Sequence, residues 1–356
     1  MMQSLNEKTW GAVQVDSFAD VMSGKDIYAS ERVDGERPYV TAGTANNGIG
    51  YFVGNDNNSV DSHVISVNRN GAVGEAFFHP YKALFGNDCR RLKVRESVAD
   101  DAQQFMVVAI KEQKGAFSYS RKLGTGRLQR LSVMLPVTDS GEPDYAYMAE
   151  YVQQKRNAML AKYRTYVEAR IAELGEVAEI PALDEKEWKE FRIGELFEVS
   201  RPKARNKDDY DMGDIPFVAS GAMNNGVMKC CKTCEGEQLD AGNCITVSPV
   251  DGSSFYQPMD FLGRGGAGSS ILMLRNNGLN LFRGEFMARM IQQTCSKYNY
   301  GHMGNKDSIK RERVMLPIDE DGKPDYAYME QYAKNMMLRK YRQYLAYLDR
   351  QKQWQE

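Results

Sequence analysis

The sequence lacks most of the features that mark a function class. It has three histidines in 356 residues, His63, His79 and His302, which supplies a histidine-based catalytic centre poorly. It has no Pro-Pro pair, and so no Asp/Asn/Ser-Pro-Pro-aromatic loop of an adenine or cytosine amino-methyltransferase. Its longest strongly apolar run, about Phe105 to Ile110, falls far short of the ~20 residues that span a bilayer. Residues Met1 to Trp10 contain no apolar stretch of the kind a secretory signal carries. Six cysteines, five of them after Ser200, do not read as a disulfide framework. Lys and Arg number 46 against 48 Asp and Glu, so a uniformly basic nucleic-acid coat is excluded, while a local basic patch is not. What remains is an ordinary soluble composition, 42% apolar and 26% charged, long enough for two domains. No membrane contact is expected, and the reducing cytoplasm is the expected compartment.

What the sequence does have is a repeat of itself. Arg37-Pro38-Tyr39-Val40, with Gly43 and Asn46-Asn47-Gly48, recurs as Ile215-Pro216-Phe217-Val218, with Gly221 and Asn224-Asn225-Gly226. The offset is 178, the same as from Trp10 to Trp188 and from Phe77-Phe78-His79-Pro80 to Phe255-Tyr256-Gln257-Pro258. Pro143-Asp144-Tyr145-Ala146-Tyr147-Met148 is repeated letter for letter from Pro324 to Met329 at an offset of 181. By Lys162-Tyr163-Arg164 and Lys340-Tyr341-Arg342 the offset is 178 again. A deletion of three residues in the second copy accounts for the return, and one helical turn lost leaves a buried face in place.

Each copy reads in the same order. Short strand-like runs such as Val64-Ile65-Ser66-Val67 and Asn243-Cys244-Ile245-Thr246-Val247 are broken by Gly, Asn and Asp, and the Asn-Asn-Gly triplets read as hairpin turns. Helix-like stretches follow at Ala102 to Lys111 and Gly284 to Cys295. Each copy then ends in a long segment opened by Asp144 or Asp325. In the first, apolar residues fall at Met148, Tyr151, Val152, Met159, Leu160, Tyr163, Val167, Ile171 and Leu174. The second repeats the stripe with Met329, Tyr332, Met336, Met337, Tyr341, Tyr344, Leu345 and Leu348. Spacing of three and four predicts two long helices that pair as a coiled coil, each roughly 45 Å long at ~1.5 Å per residue.

Several catalytic signatures fail in context. Gly263-Arg264-Gly265-Gly266-Ala267-Gly268 matches G-x-G-x-x-G, but a strand-like Ser269 to Leu274 follows it where a nucleotide site needs a helix. A flexible turn is the better reading, and an enzyme with its site there is the third-ranked function. The Pro-Asp pairs lack the acidic-x-Lys of a nuclease. Cys231-x-x-Cys234, with Cys244, is half a zinc site without its second knuckle, so reduced thiols are expected there.

The basic and aromatic residues gather ahead of each Val-Met-Leu-Pro. Between Phe117 and Arg130 the first copy carries Tyr119, Arg121, Lys122, Arg127 and Arg130 and no acid. The second copy has Tyr298, Tyr300, His302, Lys306, Lys310 and Arg311. Cations beside aromatics, with Gly for close approach, suit phosphate contact and base-edge readout. Asn68-Arg69-Asn70-Gly71 forms a second cluster able to bond a guanine or adenine edge. Its counterpart, Ser248 to Gly252, differs chemically. A scaffold matched in both copies with unlike loops is what two modules reading different sequences would show.

These features resemble the DNA-specificity subunit of Type I restriction-modification enzymes, and most closely the specificity subunits of Type IIB-like enzymes. Val64 to Gly74 and Tyr119-Ser120-Arg121 are similar to parts of that family's target-recognition domains. The second copy departs at Ser248 to Gly252. The resemblance implies an α/β (α+β) fold of two tandem target-recognition domains, at 1–143 and 179–324, each followed by a long helix, at 144–178 and 325–356. It further implies that the helices pair antiparallel, set the spacing of the two halves of a split double-stranded DNA target, and dock methyltransferase subunits and possibly a restriction subunit. No catalytic residue, cofactor or metal is then expected in this chain, and S-adenosylmethionine belongs to the partner methyltransferase. The alternative from another class is a two-domain adaptor that binds protein without binding DNA; acids neutralising the basic loops would favour it.

Overall fold

The computed structural model describes residues 3–266 and 270–353, and the side chains among them up to Arg350. The chain divides into two compact units, Met1–Tyr163 and Arg164–Glu356. Both are mixed helix and strand, and the elements of one recur in the other in the same order.

In the first unit, strand Trp10–Gln14 pairs antiparallel with Ser132–Pro136, setting Trp10 opposite Pro136. In the second, Trp188–Arg192 pairs with Arg313–Pro317, and Trp188 stands opposite Pro317. Each indole N–H then closes a turn, onto the Leu5 carbonyl at 2.9 Å and the Leu183 carbonyl at 2.8 Å. The Trp and the Val-Met-Leu-Pro motif of each copy are therefore two sides of one ribbon.

A four-stranded antiparallel sheet forms the body of each unit. Its strands are Ala19–Ser23, Cys89–Val94, Val64–Asn68 and Ala76–His79 in the first. In the second they are Glu198–Ser200, Leu272–Arg275, Cys244–Val247 and Ser254–Gln257. Helix Asp100–Lys111 packs on the first sheet through Met106 and Ile110, and helix Leu281–Cys295 on the second through Met287 and Ile291. Val15, Ile65, Leu135 and Met148 fill the first core where Ile193, Ile245, Leu316 and Met329 fill the second. These residues are fully buried or nearly so, and each contributes about 1.5–3 kcal/mol of burial.

A smaller three-stranded sheet joins each body, built around Asp34–Val40 and Met212–Val218. The Asn-Asn-Gly triplets turn the chain there, between Val40 and Ile49 and between Val218 and Val227. Asn46, Asn47, Asn224 and Asn225 all have φ between 50° and 57°, a left-handed conformation that Asn tolerates better than other side chains.

The long helices span Tyr145–Leu174 and Tyr326–Gln353, with 354–356 of the expected second helix outside the described residues. Asp144 and Asp325 cap them, accepting the N–H of Tyr147 at 3.0 Å and of Tyr328 at 2.9 Å. Each carboxylate is also paired with a lysine from ahead of the Trp, Lys8 at 2.7 Å and Lys186 at 2.8 Å. Partial burial works against the charge on both aspartates, but the lysine and the capped N–H outweigh it and hold them below the usual carboxylate range.

The boundary between the units falls inside the first long helix. Within the second unit its last part runs antiparallel to the second helix. Arg164 bonds Asp349 at 2.7 Å, Tyr166 meets Tyr341 edge-on, and beyond the helix end Asn335 clasps both the N–H and C=O of Ala178. Val167 and Leu338 are fully buried there. Met159, which belongs to the stripe, is 70% exposed. The run from Gln153 to Met159 is exposed throughout. Among the described residues no helix is long and apolar enough to cross a membrane.

Candidate nucleic-acid interface

In the first unit the two clusters that are far apart in sequence come together. The turn joining Val64–Asn68 to Ala76–His79 carries Arg69, and the loop before Ser132–Pro136 carries Lys122 and Arg127. All three line one open recess of about 440 Å³, together with Gly124, Thr125 and Gly126. Among the described residues no carboxylate lies within ion-pair distance of Arg121, Lys122, Arg127 or Arg130. Acids therefore do not neutralise this loop.

Each candidate has a defined place. Arg69 is one-third exposed and reaches Asp88 through Nη2 at 3.4 Å. Asn70 donates to the other oxygen of the same carboxylate at 3.4 Å. Tyr119 is 73% exposed, with the Lys122 ammonium 4.8 Å from its ring centre. Arg121 lies 5.9 Å from the Phe117 ring, a weak cation–π contact that leaves its charge toward water. Arg127 is anchored by donating to the Lys122 carbonyl at 2.7 Å. Arg130 is exposed beside Gly126.

Asn68 is a correction. It is fully buried, donates to the Gly43 carbonyl at 3.0 Å and accepts from the Cys89 thiol at 3.5 Å. It ties the turn to the smaller sheet and has no surface to offer a base.

In the second unit the corresponding loop is a hairpin with Tyr300 at its tip, 84% exposed. Asn299 and His302 close it. Tyr298 is the second correction: it is buried, its hydroxyl donates to Glu312 at 2.5 Å, and His302 stacks on its ring at 5.7 Å. Burial beside that carboxylate pushes the Tyr298 hydroxyl up to about 12. Tyr298 is a support under His302 and not a contact. Lys306 and Arg311 are exposed on the short helix Lys306–Arg311, and Lys310 is half-buried over Gly194. Glu312 takes the charge of Lys297 at 2.6 Å, and Glu190 that of Arg313 at 3.0 Å.

The three cysteines of the half zinc site are placed apart. Cys231 lies among Phe217, Ala219 and Leu262, and Cys244 among Val218, Phe261 and Ile271. The two thiols belong to different apolar clusters, and Cys234 is exposed. Among the described residues no three metal-binding side chains converge. Of the glycine-rich run, Ala267 and Gly268, with Ser269 after them, lie outside the described residues; strand Leu272–Arg275 follows, and among the described residues no helix opens there.

The sequence reading missed Asp88, which orients both Arg69 and Asn70. Asp88 comes beside the turn only on folding, because the strand Cys89–Val94 pairs with Val64–Asn68 and the Asp88 carbonyl accepts the Arg69 N–H at 2.7 Å. It also missed Arg205, which is buried in the second unit against Glu237 at 2.8 Å and Asp240 at 2.7 Å.

A family model described as the Type I restriction modification DNA specificity domain matches residues 7–162 and again 185–344. The specificity subunit S.BcgI of a Type II restriction enzyme from Heyndrickxia coagulans is 33% identical over 162 residues. That alignment takes in 45% of this chain and 48% of the relative, so the match spans about half the relative's length. The crystal structure of the S subunit of a Type I restriction-modification system from M. genitalium is similar in fold, with a TM-score of 0.50 at 16% identity. That likeness covers 98% of this chain and 95% of the other.

Proposed function

The chain belongs to the Type I restriction modification DNA specificity family, and from that premise we propose that it is the DNA-reading subunit of a restriction-modification system. Each unit reads one half of a split double-stranded target. The chain brings no catalysis of its own. Methyl transfer from S-adenosylmethionine belongs to methyltransferase subunits that dock on it, and any cleavage belongs to those subunits or to a restriction subunit. The spacing between the half-sites follows the length of the two helices.

One observation carries the reading. The two units share a core almost residue for residue, yet the surfaces ahead of Val-Met-Leu-Pro present different chemistry, a cationic recess with Lys122 and Arg127 in one and an aromatic tip at Tyr300 in the other. A duplicated scaffold with unlike polar loops supports recognition of two dissimilar sequences. Unpaired cations in the first loop supply the phosphate attraction that any such reading requires.

The test is methylome sequencing of a host carrying a methyltransferase partner, with and without this chain. A methylated motif of two short, unlike half-sites around an unread spacer should appear only when the chain is present. A continuous motif, or one unchanged when the chain is absent, would remove the proposal.

A further inference from the structure

The two turns that correspond in the units differ in length as well as in residues. Strands Val64–Asn68 and Ala76–His79 are joined through 69–75, while Cys244–Val247 and Ser254–Gln257 are joined through 248–253. Gly74 and Gly252 hold equivalent places, both with positive φ, and both press on the end of the helix packed on the sheet, Gly74 on Lys114 just past it and Gly252 on Cys295, its last residue. The turns are thus anchored alike. In the second unit the shortened turn is closed down: Ser248, Pro249 and Val250 are buried, and the Pro249 carbonyl accepts the Gly304 N–H at 2.8 Å. In the first unit the longer turn lifts Arg69 into the recess facing Lys122 and Arg127.

We propose that Arg69 reads a guanine in the half-site of the first unit, with Asp88 as its positioning residue and Lys122 and Arg127 on the neighbouring phosphates. This rests on the DNA-reading function proposed above and names one chemical feature of its target. The guanidinium keeps most of its donors. Its ion pair among the described residues is the 3.4 Å contact to Asp88, and its Nε is shielded from water without a hydrogen-bond partner. Asn70 has its side-chain carbonyl oxygen buried and unpartnered among the described residues, an acceptor that only a donor can satisfy. A charged donor left unmatched, as on Arg69, is costly, and an acceptor that meets the guanidinium restores the balance. Guanine presents two acceptors, O6 and N7, at the spacing of that fork.

The surroundings favour an electronegative ligand. Arg90 lies behind Arg69, 5% exposed, and burial together with the Arg69 charge holds its guanidinium below its ordinary range. Asp88 is the carboxylate set against Arg69 and Arg90, while Lys122 and Arg127 face the same opening. The lining glycines leave room for a backbone to approach, since a side chain added at Gly124 would meet open space and one at Gly126 only the tip of Arg130. The second unit has no cation in its turn from Ser248 to Ser253, so the guanine reading belongs to one half-site alone.

The experiment selects duplexes from a randomised library with the full-length chain, then repeats the binding with 7-deazaguanine at the preferred guanine. The wild type should require guanine at one position of one half-site, and 7-deazaguanine there should weaken binding roughly 10- to 100-fold. Arg69→Gln should lose the same preference, gain no further loss from 7-deazaguanine, and leave the other half-site unchanged. Arg69→Lys should not restore it, since a lysine is a point charge. Asp88→Asn should weaken the preference at that position only. Lys122→Ala and Arg127→Ala should weaken all sequences alike and flatten the salt dependence. Wild-type binding indifferent to 7-deazaguanine in both half-sites overturns the assignment, whether or not the variants fold. So does an unchanged consensus with Arg69→Gln, which leaves DNA reading itself intact. A wild type that selects no sequence removes the DNA-reading function and this assignment with it.

Discussion

His79→Gln should remove a defined part of the acid sensitivity of this protein. The ring is fully buried at the end of strand Ala76–His79, with Nε2 2.8 Å from the Ser66 hydroxyl and Nδ1 3.2 Å from the Tyr81 hydroxyl. Burial pushes the His79 pKa from 6.5 down to about 4. The folded chain therefore keeps this group neutral at a pH where the unfolded chain protonates it. Its stabilising share is complete above about pH 6.5 and is lost as pH falls from there toward 4. Between pH 8 and pH 5 the loss comes to about 2 kcal/mol, approaching about 3 kcal/mol at still lower pH. The second unit shows that the position does not need a histidine. Gln257 occupies it and donates to the Thr246 hydroxyl at 3.0 Å, in place of the His79–Ser66 bond. At pH 8 the variant should therefore lie within about 1.5 kcal/mol of wild type. Urea unfolding of both proteins at pH 8 and pH 5 measures the double difference, in which the exposed His63 and His302 and the surface carboxylates cancel. An equal pH dependence in the two proteins would refute the claim that His79 is buried uncharged.

Three further outcomes are expected. Gly284→Ala should lower the melting temperature although alanine is the better helix former by about 1 kcal/mol: the added carbon would sit 2.2 Å from the buried Tyr256 ring, and overpacking of this kind costs about 1–3 kcal/mol. Arg205→Ala should destabilise the second unit by about 3–5 kcal/mol in urea unfolding, because it strands Glu237 and Asp240; Arg205→Ile with Glu237→Gln and Asp240→Asn should recover a good part of it, as Ile27 fills the matching place in the first unit. Tyr300→Ala and Arg121→Ala should each weaken binding to the selected duplex by about 1–3 kcal/mol if they read bases, with the preference shifting in opposite half-sites; a wild-type affinity in both would remove these loops from the interface.

The scaffold was legible because burial repeats with the sequence. Most large core positions in one unit have an apolar counterpart in the other, Met106 with Met287 and Ile110 with Ile291 among them. The helix starts were legible for a local reason, since Asp144 and Asp325 supply their caps from side chains a few bonds away. Met159 keeps the spacing of a seam residue and is exposed, because spacing records which residues share a face and says nothing of what covers that face.

The site was less legible than the fold, and the reason is physical. A loop residue's role is set by what the rest of the chain brings to it. Asn68, Arg69 and Asn70 are adjacent and chemically alike as donors, yet one backbone step turns Asn68 into the core toward Gly43 and leaves Arg69 in the recess. In the same way Tyr298 and Tyr300 stand two residues apart on a hairpin, one pinned under His302 by Glu312 and the other at the open tip. The duplication that exposed the scaffold could not help here, because the recognition loops are where the copies diverge. Divergence at such loops is cheap in stability: the turns end at Gly74 and Gly252, and the loops farther on end at the buried Val133 and Val314, so these ends stay fixed while the turn and loop residues change length and charge. A specificity module needs that separation. A change that creates a new base contact at Arg69 must leave Ile65, Phe78 and Leu92 packed as before, and a turn held at its ends allows it.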